Sequence, residues 1–280
     1  MLFEAGLLQR RGTVEQKNTV SDYHEIEQER ETSVFATPLH TEWRNYKINI
    51  LDTPGLDDFI GEIISSIRVA DSIVNVINGQ YGVEVGTEII WNYIDKYQKP
   101  TLFVVNQIDH PSCNFDDSFK SIKDLVGNNA IQIQYPLKID SAQCILDVLK
   151  MKVYKFGPEL VEKAAENDED LMELYFDKGT LNEDELRQGI KAGMLNHELF
   201  PVFCVSALND MGSGRLMGFI DNVAPAASDL KQEQSVEGDS IERKVDAPTA
   251  LFVFKTVYQP NLGQLSFFKV KSGEVNINDK

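Results

Sequence analysis

The sequence predicts an α/β fold in which a mostly parallel sheet carries helices on both faces. Three observations lead to this prediction. Short runs rich in β-branched apolar residues alternate with amphipathic helical stretches between residues 46 and 105, as in strands joined by helical crossovers. These runs are mostly apolar, which is typical of strands buried on both faces. Several of them end in a compact polar group, and parallel sheets bind ligands at the carboxyl ends of their strands.

Composition limits the class of function. The chain has 280 residues, of which 42% are hydrophobic and 25% charged, as expected for a globular protein of one large or two modest domains. The net charge of -17 and the pI of about 4.6 exclude a protein that coats nucleic acid non-specifically, although they leave room for a local basic patch. No apolar stretch approaches the ~18 residues of a membrane span, and the N-terminus lacks the charge order of a signal peptide. We therefore expect a soluble, cytoplasmic protein.

The cysteines and histidines do not predict a metal site. Cys113, Cys144 and Cys204 are widely spaced, lack the CxxC pattern and are expected to be reduced. The four histidines lie in polar stretches and are expected at the surface: His24, His40, His110 and His197.

The first predicted elements are a short helix and a strand pair. Residues 2–9 have apolar side chains at helical spacing, with basic residues where the last turn would be. Residues 12–31 are polar and predict a loop or a short helix. Residues 33–41 and 46–51 predict two strands joined by a short polar turn.

Helices and strands then alternate. Residues 59–69 predict an amphipathic helix, and residues 72–77 predict a short strand buried on both faces. Residues 87–97 repeat the helix and residues 101–105 repeat the strand. Each repeat is long enough for a helical crossover between parallel strands.

This alternation is interrupted in the middle of the chain. The interruption contains a half-exposed strand, a second strand candidate and two or three acidic helices, at residues 131–137, 146–156 and 159–192. A buried strand at residues 202–205 and a helix after Gly214 resume the earlier pattern. We therefore expect residues 131–200 to be an insertion into the α/β domain.

The C-terminal part predicts a second unit. Residues 228–247 are polar and predict a linker. Residues 251–258 and 265–270 predict the first hairpin of a β-barrel, and so few strands cannot close a barrel. We therefore expect both ends of this chain to be cut from a longer sequence.

The tetrapeptide Asp52-Thr53-Pro54-Gly55, at the end of a predicted strand, is the most specific motif. In a parallel sheet this position would aim the Asp52 carboxylate at a hydrated Mg²⁺, and the Gly55 N–H would approach a terminal phosphate. The alternative is an Asp-Pro-Gly turn without a ligand.

Two further motifs also follow predicted strands. In Asn106-Gln107-Ile108-Asp109, the Asp109 carboxylate could accept two hydrogen bonds from guanine that adenine cannot offer, and Asn106 would tie neighbouring loops together. In Ser206-Ala207, the small side chains would let the Ala207 N–H reach the guanine oxygen. Each motif is weak alone, but their order, each at a strand end, predicts a guanine-nucleotide site.

Together these motifs resemble those of translational GTPases, and within that group elongation factor G. The resemblance runs over essentially the whole chain and includes Glu27-Gln28-Glu29-Arg30 and the start of the hairpin at residues 251–255. It implies a G domain of the P-loop GTPase type at residues 1–130 and 201–227, an inserted α+β subdomain at 131–200, a linker at 228–247, and the first strands of a β-barrel domain at 248–280.

The resemblance also implies chemistry and partners. Such a protein binds GTP or GDP with Mg²⁺ and acts as a monomer on ribosomal RNA and ribosomal proteins, without DNA or a membrane. It promotes translocation of tRNA and mRNA in protein biosynthesis. The implied nucleotide contacts are Asp52, Gly55, Asn106, Gln107, Asp109, Ser206 and Ala207. The implied Mg²⁺ contacts are Asp52 and Ser33, with Thr32 as the neighbouring candidate.

Four departures from the family pattern bear on activity. The family's phosphate loop, Gly-x-x-x-x-Gly-Lys-Ser/Thr, is not in this sequence. The family's Arg-Gly-Ile-Thr stretch appears as Arg30-Glu31-Thr32-Ser33, and Gln107 stands in place of a Lys. Leu56 stands in place of the His that positions the attacking water. The last three features resemble those of divergent paralogues of elongation factor G, and Leu56 implies slow hydrolysis.

A second hypothesis is a non-hydrolysing G-like protein that docks on the ribosome or reports nucleotide state. Leu56 favours this hypothesis, because its side chain cannot orient a water molecule. Asp52, Gly55 and Asp109 favour retained nucleotide binding.

Overall fold

The computed structural model describes residues 1–139, 142–147, 166, 172, 181–230, 233–234, 238, 240–259 and 261–279. In chain order its elements are α1 Glu25–Arg30, β1 Thr37–Trp43, β2 Tyr46–Asp52, α2 Ile60–Val69, β3 Ile73–Asn78, α3 Val85–Lys96, β4 Thr101–Asn106, α4 Phe115–Val126, β5 Ala130–Gln132, β6 Gln134–Ile139, β7 Ala142–Asp147, α5 Glu183–Leu195, β8 Phe200–Cys204, α6 Ser213–Asn222, β9 Glu233–Gln234, β10 Ser240–Ile241, β11 Ala250–Gln259 and β12 Gly263–Ser272.

The central sheet has the strand order β3-β4-β8-β5, and all of its pairs are parallel. Along β4 the side chains alternate between two cores, as the period of two in a strand requires. Leu102 and Val104 pack with α5 and α6 on one face, while Phe103 and Val105 pack with α2, α3 and α4 on the other. The predicted α/β fold, with helices on both faces of a parallel sheet, is confirmed.

The strand β3 differs from its prediction. It forms as expected, but Val74 and Val76 are 37% and 59% exposed instead of buried. Among the strands that the structure describes, β3 pairs only with β4, so it is an edge strand with one uncovered face. The β-branched composition predicted a strand but could not show whether a neighbour covers it.

Two N-terminal predictions also need correction. Residues 2–9 form turns rather than a helix, and Gly6 takes a positive φ of 78° that interrupts helical geometry. The first strand begins at Thr37, because residues 33–36 are irregular. The pairing itself follows the prediction, with Trp43 opposite Tyr46 at the tight turn and Thr37 opposite Asp52.

The region predicted as an insertion joins the main sheet at its start and packs in one of the cores beside that sheet near its end. The strand β5 pairs in parallel with β8, and Leu186, Ile190 and Met194 of α5 lie in the same core as Leu102. The strands β6 and β7 form a separate antiparallel pair. The strand candidate at 146–156 overlaps β7 only at its start, and its remainder, like most of the acidic helices at 159–192, lies outside the described residues. The division at residues 131–200 stays a prediction.

The C-terminal hairpin forms as predicted, and it packs against α2. Lys255 of β11 binds Glu62 near the start of α2 at 2.9 Å. Lys269 of β12 binds Asp71 just beyond the end of α2 and donates to the Val69 carbonyl at 2.9 Å. Burial of Lys269 lowers its pKa, and the hydrogen bond and charge of Asp71 oppose that shift.

One histidine prediction was wrong. His197 is only 9% exposed, and its ring stacks on Trp91 with the ring centroids 5.4 Å apart. Its Nδ1 lies 3.1 Å from the Lys99 carbonyl oxygen, and its Nε2 lies 3.3 Å from an Asp95 carboxylate oxygen. This cluster lies at the amino ends of the parallel strands, opposite to the end where ligands bind.

Candidate functional site

The carboxyl ends of β4 and β8 bring two of the predicted motifs together. The Asn106 Oδ1 accepts a hydrogen bond from the Ala207 N–H at 3.0 Å, and the Ile108 N–H donates to the Val205 carbonyl at 3.3 Å. Because the two strands are parallel neighbours, both motifs emerge at the same edge of the sheet. Asn106 therefore joins the two loops, as the sequence suggested.

The loop after β8 is held in shape by Ser206. Its backbone exchanges hydrogen bonds with Met211, at 3.0 and 2.9 Å, and its Oγ accepts from the Asn209 N–H at 3.1 Å. Ser206 is fully buried, whereas Ala207 is exposed at the tip. The hydrogen bonds of Ser206 therefore hold the loop in a shape that exposes the backbone of Ala207 to solvent.

Asp109 has an unused acceptor. Its Oδ1 is buried and has no hydrogen-bond partner among the described residues. A buried carboxylate oxygen without a donor is costly, so such an atom marks a place where a ligand donor fits. Two neighbouring N–H donors on the edge of a nucleotide base would supply the hydrogen bonds that the Asp109 carboxylate lacks.

Gln107 takes a strained backbone conformation beside Asp109. Its φ is +62°, in the left-handed region that non-glycine residues seldom adopt. Its Oε1 accepts a hydrogen bond from the Gln80 Nε2 at 2.6 Å, so the two amides bridge the loops after β3 and β4. A Lys at residue 107 would instead place a cation along the base.

Arg11 is a contact that the sequence analysis missed. Its guanidinium donates to the Ala207 carbonyl at 3.0 Å and to the Leu208 carbonyl at 2.8 Å, and it lies 3.7 Å from Asp210. The predicted helix end at Arg10-Arg11 gave no signal for this role, because the contact spans almost 200 residues of sequence.

A second group of residues surrounds Asp52. Desolvation raises the pKa of Asp52, the nearby carboxylates of Asp22 and Glu27 raise it further, and a hydrogen bond with the Ser21 side chain lowers it. The predicted Mg²⁺ ligand Ser33 donates from its Oγ to Asp22 Oδ1 at 2.7 Å. Asp22, which the sequence analysis did not select, therefore belongs to this group.

The loop after Asp52 is open to solvent. Gly55 has free space around the position that a Cβ would take, and Leu56 is 44% exposed. A short 3-10 turn at Asp57–Phe59 leads directly into α2.

The donor sets fit the groups that the sequence implied. Asp52, Asp22 and Ser33 supply only oxygen atoms, which is the donor chemistry that Mg²⁺ prefers, and their crowded negative charge favours a cation. Asp109 and the Asn106–Ala207 pair supply the edge that a guanine base would meet. Within the described residues, no cluster of three His, Cys, Asp or Glu side chains has the geometry of a complete metal site.

Comparison with known proteins agrees with this arrangement. A model of the family described as the elongation factor Tu GTP binding domain matches residues 1–226. A crystal structure of a protein from Thermus thermophilus superposes with a TM-score of 0.84 at 23% sequence identity. That similarity covers 97% of this chain and 42% of the other, so this chain spans less than half of the length of that protein. No helix among the described residues is long and apolar enough to cross a membrane.

Proposed function

Since this chain belongs to the elongation factor Tu GTP-binding domain family, as the match over residues 1–226 shows, we propose that it forms the guanine-nucleotide-binding part of a translation factor of the elongation factor G type. The resemblance to translational GTPases is thereby confirmed. The ribosome, as rRNA and ribosomal proteins, is the proposed partner, and translocation of tRNA and mRNA in the cytoplasm is the proposed step.

The Asp109 Oδ1, which has no hydrogen-bond partner in the described part of the chain, is the observation that carries the proposal. It lies in the loop after β4, next to the hydrogen bond that joins Asn106 to Ala207. In this position the carboxylate would accept the N1–H and the exocyclic amine of guanine. Adenine has no donor at either of these two positions, so the site would select guanine.

The Asp52 group would hold the metal ion. Asp52 would bind Mg²⁺ through its water shell, and Ser33 or Thr32 would supply a hydroxyl once Ser33 releases Asp22. When bound, Mg²⁺ supplies charge that stabilises phosphate oxygens. The Gly55 N–H would contact the terminal phosphate, and among the described residues the space that a Cβ of residue 55 would take is open.

The alternative function is that of a non-hydrolysing G-like protein that docks on the ribosome or reports nucleotide state. The observation in its favour is Leu56, whose apolar side chain is exposed where a water-positioning group is needed. A protein that reports nucleotide state would have the same base selectivity as a GTPase. Base selectivity therefore tests nucleotide recognition, and hydrolysis separates the two functions.

The test of base selectivity is ligand-observed saturation-transfer NMR with millimolar GTP, ATP and XTP. We expect GTP to bind this chain better than ATP, and Asp109→Asn to shift the preference from GTP to XTP, whose edge carries a carbonyl in place of the amine. Asp124 is an exposed carboxylate on α4, so Asp124→Asn makes the same charge change and should leave the nucleotide preference unchanged. Equal binding of the three nucleotides, or an unchanged preference in Asp109→Asn, would refute the proposal.

A further inference from the structure

The short irregular stretch Val34, Phe35 and Ala36 is held by carboxylates instead of a β-sheet. The Val34 and Phe35 N–H groups both donate to Glu27 Oε1 at 3.0 Å, and the Ala36 N–H donates to Glu62 Oε2 at 2.7 Å. Val34 and Ala36 are almost fully buried. Buried backbone groups need partners, so these two carboxylates decide where the stretch can lie.

Lys255 completes the contact at Ala36. Its Nζ donates to the Ala36 carbonyl at 2.6 Å and to Glu62 Oε2 at 2.9 Å, and it lies 5.5 Å from the centre of the Phe35 ring. The Lys255 side chain is 14% exposed and that of Glu62 is 33% exposed, so solvent screens this pair only in part. One ammonium thus satisfies the carbonyl of Ala36 and neutralises the carboxylate that binds its N–H.

The same hairpin provides a natural comparison. Lys269 also pairs with a carboxylate, that of Asp71, and also donates to a backbone carbonyl, that of Val69. Its side chain is 17% exposed, close to the value for Lys255. The two lysines therefore attach the hairpin to opposite ends of α2 in similar ways, but only Lys255 touches the stretch before β1.

We propose that Lys255 is a positioning residue that fixes Ala36 against α2 and thereby sets the place of Thr32 and Ser33. The connection is short, because only Val34 and Phe35 separate Ser33 from Ala36, and Glu27 restrains both. Without the Lys255 ammonium, the Ala36 carbonyl would lose its donor and Glu62 would lose its cation. The proposal depends on the proposed function only for the metal-binding role of Thr32 and Ser33.

Hydrogen exchange at single amides of the nucleotide-free chain tests the proposal. In Lys255→Met we expect the Ala36 amide to exchange about 10- to 100-fold faster, the range for loss of charge-assisted hydrogen bonds. The Val34 amide should change less, because it donates to Glu27, whereas Lys255 binds the Ala36 carbonyl and Glu62, the acceptor of the Ala36 amide. In Lys269→Met the Ala36 amide should keep its original exchange rate. This variant is the matched control, because both substitutions remove a lysine that attaches the hairpin to α2.

A substitution that keeps the positive charge distinguishes a positioning role of Lys255 from a general contribution to stability. Lys255→Arg keeps the cation and should return the Ala36 rate to within a few-fold of the original, whereas Lys255→Gln should not. The Gln variant replaces the Met variant in the comparison if the latter does not fold. An unchanged Ala36 rate in the Met or Gln variant, or equal acceleration in Lys269→Met, would overturn the proposal. Because no nucleotide is present, this result is independent of the base-selectivity test.

Discussion

Replacement of Glu27 should open the segment before β1 while the sheet stays folded. Glu27 is 1% exposed and lies in the short helix α1. Its Oε1 accepts from Val34 and Phe35, and its Oε2 accepts from the His24 N–H at 3.3 Å. The buried Glu27 carboxylate therefore holds both ends of residues 24–35, the segment that carries Thr32.

The magnitude follows from the two bonds that Glu27 Oε1 accepts from Val34 and Phe35. A hydrogen bond to a charged group contributes about 1.5 to 3 kcal/mol, and a neutral one about 0.5 to 1.5 kcal/mol. Glu27→Gln keeps an oxygen for Val34 and Phe35 but removes the charge, so it should cost about 1 kcal/mol per bond, or about 2 kcal/mol in all. At about 1.4 kcal/mol per tenfold change, the open population should rise roughly 30-fold. Glu27→Ala leaves the N–H groups without acceptors and should have the larger effect.

Native-state proteolysis with thermolysin measures this opening, because cleavage before Val34 or Phe35 requires an extended, accessible chain and its rate follows the open population. Cleavage in this segment, identified by fragment mass, should accelerate about 30-fold in Glu27→Gln. Glu29→Gln makes the same change at an exposed position of α1 and should behave as the original. A Glu27→Gln rate within twofold of the original, or equal rates for both variants, would refute the reasoning.

Three further predictions concern binding, hydrolysis and pH. This chain should bind GTP weakly, because it contains no phosphate loop; a submicromolar affinity in a fluorescent-nucleotide titration would contradict this. In a chimaera that carries a family phosphate-loop segment ahead of Met1, Leu56→His should raise ribosome-stimulated GTP hydrolysis by about 10²- to 10⁴-fold without tightening binding, and a chimaera that is already fast with Leu56 would count against slow hydrolysis. Burial raises the pKa of Cys204 to about 12. The unfolded chain releases this proton at about pH 8.5, so Cys204 should make unfolding easier by about 1.4 kcal/mol per pH unit above that pH. Urea midpoints at pH 8, 9 and 10 should fall less steeply in Cys204→Ala, and parallel slopes would show that the thiol does not titrate in this way.

The parts of the fold that follow local pattern were predictable. The run Leu102, Phe103, Val104 and Val105 is apolar at every position, and it forms a central strand with a core on each side. The positions of the site loops followed as well, because strand ends determine where Asn106 and its neighbours emerge.

The features that escaped prediction depend on contacts between distant residues. Arg11 reaches Ala207, and Lys255 reaches Ala36, over about 200 residues of sequence in each case. His197 lies in a polar stretch, yet it is buried because Trp91 supplies a flat surface for its ring. Local spacing contains no information about such partners.

The uncovered face of β3 has a consequence for how the protein behaves in concentrated solution. Among the described residues no strand pairs with the outer edge of β3, so its backbone groups and the exposed Val74 and Val76 form a template for pairing between molecules. The net charge of -17 opposes such encounters by long-range repulsion. That repulsion reaches about 10 Å at 0.1 M salt and only about 3 Å at 1 M. High salt, which keeps many proteins dispersed, should therefore drive this one to self-associate through β3, and light scattering should rise with ionic strength.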